Sequence, residues 1–404
     1  MEMELPIKNC QLRVLKTSME ANFPVTLEQS VRRLCEKEGF IKYKIDKRSV
    51  STDGGNYLGI LYEIDVKGRT KDGDKELHLF AKHIIKGDSL KILSVSNVYA
   101  TEIFAYKELS KIFTELQEEA NVPLEERYKM IKVYEESNPE AIIMENIAKK
   151  GFTQYYRMEV PPLNFFEISV KQLARFHGLS FILRERRPIF FSEKIKTLKN
   201  PFIFDANWIE MMTSLKEASL NHVDEKFKDK LEEAYESLLY KYSQYCDDEN
   251  LNVCLRHGDF RPCNILIKIH DGDIQELIPV DYQLLHYGCP VFDFLYFIFG
   301  GTDREFRNKH LVYLKDLYYE TLTTFLQYFD LDVEKVYSRE EFERVYKEKL
   351  DFGLMTTLIL LPFVFASEND VPDFSQSEMR FHIDDRIKER FHGVIEEYMD
   401  WGFL

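Results

Sequence analysis

The sequence predicts an α+β protein of two lobes, a small β-rich one followed by a larger, mainly helical one. Three observations predict it. Residues 43–68 and 76–85 are rich in β-branched and aromatic residues around turn signals. From about residue 160 onward, long segments with helical apolar spacing dominate. Among those helices sits a single short β-rich island, residues 251–285. The boundary is expected near residue 147, giving lobes over 1–147 and 148–404.

Length and composition allow this. The chain has 404 residues, 45% hydrophobic and 14% aromatic, with 31 Phe and 23 Tyr, which suits well-packed cores. Net charge is −15, so a nucleic-acid binder, which wants a basic stripe, is not expected. A local phosphate site is still allowed, because distant charges are screened. The six cysteines show no CxxC pair or zinc spacing and read as reduced, mostly buried thiols. The first residues have no signal-peptide apolar region. The apolar stretch at 353–366 is too short to span a bilayer and contains Pro362. A soluble, cytoplasmic monomer is the expectation.

In chain order, residues 26–38 read as a helix with Thr26 as N-cap and Gln29 as its capping-box partner. Residues 43–68 read as a hairpin turning at Asp53, Gly54, Gly55 and Asn56, and 76–85 as a third strand. Residues 98–113 have helical spacing, and 140–147 look like a buried strand. Beyond Pro161-Pro162, residues 164–183 predict a helix with Asn164 as N-cap and Glu167 as its partner. Further helices are expected near 207–219, 225–245, 305–329, 339–361 and 378–400.

The chemistry concentrates in "CLRHGDFRPCNILIK", residues 254–268. Asp259 precedes Asn264 by five positions. A predicted hairpin turning at Asp271-Gly272-Asp273 then ends in Asp281. Two hairpin strands would bring Asn264 and Asp281 to one end of a small sheet, with Asp259 on the loop before it. Oxygen donors of this kind suit a hard cation such as Mg2+. An aspartate five positions before an asparagine, with a second aspartate after a short hairpin, is the pattern of phosphoryl transfer. In it the first Asp accepts a hydroxyl proton and the other two hold metal. The first lobe can supply the rest. Lys82 on the third strand would reach ATP phosphates, and Glu102 on the next helix would hold that lysine. The turn carrying Gly54, Gly55, Asn56 and Tyr57 would cover the phosphates, and Met144, Glu145 and Asn146 would face adenine.

With these residues the chain resembles the ecdysteroid-kinase-like family, also called CHK-kinase-like, in the aminoglycoside- and choline-kinase branch of the protein-kinase-like fold. The resemblance is carried by "GGNYLG" (54–59), "LARFHGLSF" (173–181), "RHGDFRPCNILI" (256–267) and "PVDYQLLHYGCPVFDFLYF" (279–297), in that order, and spans roughly residues 40 to 330. It implies Asp259 as base, Asn264 and Asp281 as metal ligands, and a Lys82–Glu102 ion pair. It also implies His257 bracing the loop and Asp293 pinning the catalytic segment. There are departures. The phosphate hairpin has no GxGxxG, Asp281 is followed by Tyr282-Gln283, and the hinge reads Glu-Asn.

Gly258 stands where a protein kinase has Arg, and only eleven residues separate Asp281 from Asp293. That leaves no room for a peptide-seating segment, so a small hydroxylated acceptor is expected, with a steroid alcohol favoured by the resemblance. The alternatives are a choline- or aminoglycoside-type kinase with a cationic acceptor, and a nucleotide-binding sensor without transfer activity. His177 reads as a satisfied core histidine, and Arg261 as either a phosphate contact or the partner of a surface acid.

Overall fold

The computed structural model describes residues 13–14, 23–51, 59–84, 92–251, 253–367 and 382–404. Its first lobe is built on an antiparallel sheet of five strands in the order β1-β2-β3-β4-β5. β1 is Arg13–Val14, β2 Lys42–Ser51, β3 Gly59–Thr70, β4 Gly73–Ile84 and β5 Ala141–Glu145. Helix α1 (Val25–Lys37) lays Leu27, Val31, Leu34 and Cys35 on Tyr62, Ile64, Leu79 and Ala81. Side chains alternate along a strand. With Leu79 and Ala81 under α1, Phe80 and Lys82 therefore face the other way. That opposite face receives α2 (Val95–Phe104), which runs through one π-type turn (Ala105–Leu109) into α3 (Ser110–Glu119).

The second lobe begins with β6 (Phe152–Thr153), α4 (Leu163–Arg186), the short α5 (Pro188–Phe190), α6 (Ala206–Leu220) and α7 (Glu225–Asp247). The β-island follows as two small sheets. β7 (Cys254–Arg256) pairs with β10 (His286–Gly288), and β8 (Ile265–His270) lies between β6 and β9 (Asp273–Pro279). Asp271 and Gly272 both have positive φ, the geometry of a two-residue hairpin turn. Then come α8 (Pro290–Gly301), α9 (Arg304–Gln327), α10 (Val333–Val336), α11 (Arg339–Glu348), α12 (Phe352–Val364) and α13 (Ile387–Asp400). One large apolar core runs under α4, α8, α9 and α12. Among the described residues no helix is long and apolar enough to cross a membrane. No disulfide forms among the described cysteines, and Cys35, Cys254 and Cys289 are buried.

Three local expectations are corrected. Neither predicted capping box forms. Pro24 and Pro162 occupy the N-cap positions of α1 and α4, so Thr26 and Asn164 fall inside the first turn where no side-chain cap bond is made. Glu167 instead accepts from the Tyr313 hydroxyl at 2.6 Å. The helix expected over 339–361 is two helices, α11 and α12. The break coincides with buried Asp351, whose carboxylate is held by the Tyr245 hydroxyl at 3.1 Å and Lys241 at 3.2 Å. The last predicted helix starts at Ile387 rather than 378, and residues 378–381 lie outside the described residues.

Candidate active site

Lys82 sits on an interior strand, opposite Leu61 on β3 and Ile142 on β5. Its ammonium is buried and spends its three donors on three oxygens: Glu102 Oε2 at 2.8 Å, Asp281 Oδ1 at 2.8 Å and Gln283 Oε1 at 2.9 Å. Burial alone would lower its pKa, but Asp281 and Glu102 outweigh that and hold it raised, so Lys82 stays charged. Burial pushes the Glu102 carboxyl up against the opposing pull of Lys82. Glu102 lies on α2. One turn further along, in the π-type turn, Tyr106 accepts the Asp281 amide with its hydroxyl at 3.1 Å. The same helical segment therefore holds both the lysine and the backbone of Asp281. Glu108, on the same stretch, is exposed.

The loop after β7 is clamped from α8. Asp293 accepts the amides of His257 at 2.6 Å and Gly258 at 3.2 Å, Arg256 Nε at 3.1 Å, and has His177 Nε2 at 3.2 Å. Burial would raise its pKa, but Arg256 and His177 hold the carboxyl well below the ordinary range. His177 completes its ring with the Tyr318 hydroxyl at 2.7 Å and is a satisfied core histidine. Gly258 has φ +79°, and a Cβ there would stand 2.2 Å from the Leu284 carbonyl oxygen. Only glycine lets the chain pass this close in the left-handed region. The His257 ring packs between Phe260 and Tyr282, and its Nδ1 accepts the Asp259 amide at 3.4 Å.

Asp259 is buried but held by several groups. Tyr296 donates to Oδ1 at 2.7 Å, Arg261 Nε stands 3.1 Å from Oδ1, and Asn264 Nδ2 donates to Oδ2 at 2.9 Å. Burial pushes its carboxyl upward, Arg261 pulls it down, the nearby Asp281 charge adds to the rise, and Tyr296 and Asn264 oppose it; the net direction is up. The buried Arg261 therefore meets Asp259 itself rather than a surface acid.

Asn264 stands just before β8 and Asp281 follows β9. Ile265 pairs with Pro279, and Val280 donates its amide to the Asn264 carbonyl at 2.9 Å. Asp281 takes a left-handed conformation, φ 70° and ψ 64°, which Asp tolerates better than most residues. Tyr282 then turns inward, edge-on to Tyr106 and within 2.7 Å of the Tyr128 hydroxyl. With its NH2 committed to Asp259, Asn264 has its side-chain carbonyl oxygen left. That oxygen and the Asp281 carboxylate are hard donors, which fits Mg2+. Among the described residues no group of three His, Cys, Asp or Glu forms an all-protein metal cage. Sharing ligands with phosphates and water is the usual habit of this ion.

Met144 and Glu145 end β5, with Met144 opposite Phe80. The Asn146 amide is bonded to the His78 carbonyl at 3.0 Å and its Nδ2 to Glu63 at 3.3 Å, so its backbone donor is used within the sheet. Gly54, Gly55, Asn56 and Tyr57 lie outside the described residues.

Beside Asp259 opens a cavity of about 140 Å³, room for about five water molecules. Its walls include Trp208, Tyr242, Tyr296, Phe352 and Phe363, and Asp259 is the one carboxylate among the described residues lining it. Tyr296 and Gln283 were not singled out from the sequence for any role. Tyr296 lies three residues after Asp293, and Gln283 two after Asp281, so each is near a recognisable acid, but their contacts are tertiary.

No curated protein matches the chain. Solved structures match the chain at low similarity. The aminoglycoside phosphotransferase APH(3'')-Id of Streptomyces rimosus ATCC10970 is 13% identical, with a TM-score of 0.34 over 83% of this chain and 98% of that one. The GDP complex of aminoglycoside 2'-phosphotransferase-IIIa gives 13% and 0.40 over 84% and 99%. A glucosamine kinase gives 11% and 0.35 over 85% and 92%. The ecdysteroid kinase-like family matches residues 53–331, well over half of the sequence. The chain belongs to that family.

Proposed function

We propose that this protein transfers the γ-phosphate of ATP to a hydroxyl of a small, largely apolar organic molecule, with a steroid alcohol as the favoured class. The observation that carries the reading is Asp259: a restrained carboxylate lines a largely aromatic cavity, and another lining residue, Gln283, bonds the ammonium of the buried Lys82–Glu102 pair.

In this reading the first lobe binds the nucleotide. The backbone beside Met144, Glu145 and Asn146 would face adenine, Gly54, Gly55, Asn56 and Tyr57 remain the residues proposed to meet the phosphates, and Lys82 would contact them from β4. Mg2+ held by Asn264 and Asp281 would offset the phosphate charge. Asp259 takes the acceptor's proton. Its Oδ1 is already engaged by Tyr296 and Arg261, whereas Oδ2 meets Asn264 alone among the described contacts. Oδ2 is therefore the oxygen that receives the proton. Its pKa, raised chiefly by burial, makes it a better base than an ordinary carboxylate. No covalent enzyme intermediate is needed.

The cavity lining favours an apolar acceptor over a cationic one. A polycationic acceptor wants several carboxylates, and the described lining supplies only Asp259, beside Arg256 and Arg261. The test is incubation with magnesium-ATP and a panel of steroids, amino alcohols and aminoglycosides, read by mass spectrometry. A phosphorylated steroid is expected; products from the amino compounds alone would overturn the choice of acceptor.

A further inference from the structure

Gln283 joins the Lys82 cluster to the cavity and has no part in the transfer step described above. It is 7% exposed and lines the cavity together with Asp259. Its side-chain oxygen accepts from the Lys82 ammonium at 2.9 Å. An ammonium only donates, so the end of the amide that faces Lys82 is the oxygen, and the NH2 group is the end left over. Among the described residues that NH2 meets no hydrogen-bond acceptor, and it is not one of the polar atoms sealed from the space around them. A fixed donor is therefore open to whatever occupies the cavity. Lys82 also strengthens it, because a charged donor at one end of an amide polarises the N–H bonds at the other.

We propose that Gln283 is a catalytic residue whose Nε2 donates to the acceptor oxygen that attacks the γ-phosphorus. This rests on reading the cavity as the acceptor site. The acceptor hydroxyl directs its proton at Asp259 Oδ2 and one lone pair at phosphorus, and Gln283 holds the other lone pair. As the new O–P bond forms, the bond from phosphorus to the bridging oxygen breaks, its electron pair leaves with ADP, and the proton ends on Asp259. One contact accepting from the oxygen and one donating to it fix its direction of attack, which neither does alone. Because the same amide is anchored on Lys82, the lysine assigned to the phosphates also sets where the attacking oxygen sits.

The test uses the full chain, androstanol as a steroid mono-alcohol, and two variants. Gln283→Glu keeps an oxygen for Lys82 but has no donor when ionised. Gln283→Met has neither oxygen nor donor and adds no charge. Androstanol binding is read from tryptophan fluorescence, since Trp208 stacks on Tyr242 in the lining. Magnesium-ATP binding is read by calorimetry and phosphate transfer by mass spectrometry. Both variants are expected to bind androstanol about tenfold more weakly, as one lost hydrogen bond implies. Gln283→Glu should hold magnesium-ATP within a few fold of wild type. Wild-type androstanol affinity in Gln283→Glu would make the residue only a partner of Lys82, and in Gln283→Met would make the Glu effect one of charge; either overturns the proposal. So does a wild type that fails to bind androstanol, or a Gln283→Glu variant that loses magnesium-ATP as well. Weakened androstanol binding in both variants, with no phosphorylated product from the wild type, would leave the amide contact standing and defeat the kinase reading. Phosphorylated androstanol with an affinity indifferent to Gln283 would do the reverse.

Discussion

Tyr296 donates its hydroxyl to Asp259 Oδ1 at 2.7 Å from a position three residues beyond Asp293 on the same helix. Helix α8 thus holds the loop twice, by its backbone through Asp293 and by its carboxylate through Tyr296. Tyr296→Phe removes a bond to a charged group, a loss of about 1.5–3 kcal/mol where that bond matters. We expect kcat to fall about tenfold or more with the fold intact. Because the Tyr296 bond lowers the Asp259 pKa, its loss raises that pKa further. The acid limb of the pH–rate profile should move to higher pH. An unchanged limb would show that Tyr296 does not act through Asp259.

Gly258→Ala should be the most damaging small change in the loop. The added Cβ meets a backbone oxygen at 2.2 Å and the residue keeps φ +79°. The left-handed strain and the collision together cost about 2–5 kcal/mol. Thermal unfolding against wild type checks this. A shift of only a degree or two would mean the loop can rearrange around Leu284.

Lys82→Met leaves Glu102 and Asp281 without their ammonium in a buried site. Breaking a buried pair from one side costs about 3–5 kcal/mol. The double variant Lys82→Met/Glu102→Leu should recover part of that stability and none of the activity. Recovery of activity with stability would make the pair purely structural.

Stability should fall in mild acid. His257 and His286 are both buried and pushed down by burial to about 4, against about 6.5 in an unfolded chain. Between those values the unfolded state binds protons that the folded state refuses, so stability is full above about pH 6.5 and drains as pH falls toward 4. At about 1.4 kcal/mol per pKa unit, the two together amount to several kcal/mol. Urea unfolding at pH 7 and pH 4.5 measures it. His286→Gln, which cannot titrate, should flatten part of the slope, and a pH-independent stability in the wild type would contradict the assignment.

The fold class and the residues that cluster around Lys82 were legible because both are written in local pattern. The strands around Lys82, the loop from Asp259 to Asn264 and the hairpin ending at Asp281 each have short-range signatures, and the structure brings Lys82, Glu102 and Asp281 within hydrogen-bonding distance. Helix starts were misread because a proline at the cap position displaces the polar residue behind it. Where Asp205, Asp303 and Ser338 precede a helix with no such proline, each caps it. The break before α12 was invisible because Asp351 is held by side chains of α7, more than a hundred residues away. Gln283 and Tyr296 were missed for the same reason. Their significance lies in what faces them across the fold, and no spacing in the chain encodes that.

The proposed function stands on Asp259 taking the acceptor's proton. It is tested most directly by comparing wild type with Asp259→Asn for magnesium-ATP binding and for phosphate transfer to an acceptor that the wild type phosphorylates. Nucleotide affinity is expected within a few fold of wild type and transfer reduced by about two orders of magnitude or more. Turnover within a few fold of wild type would contradict it.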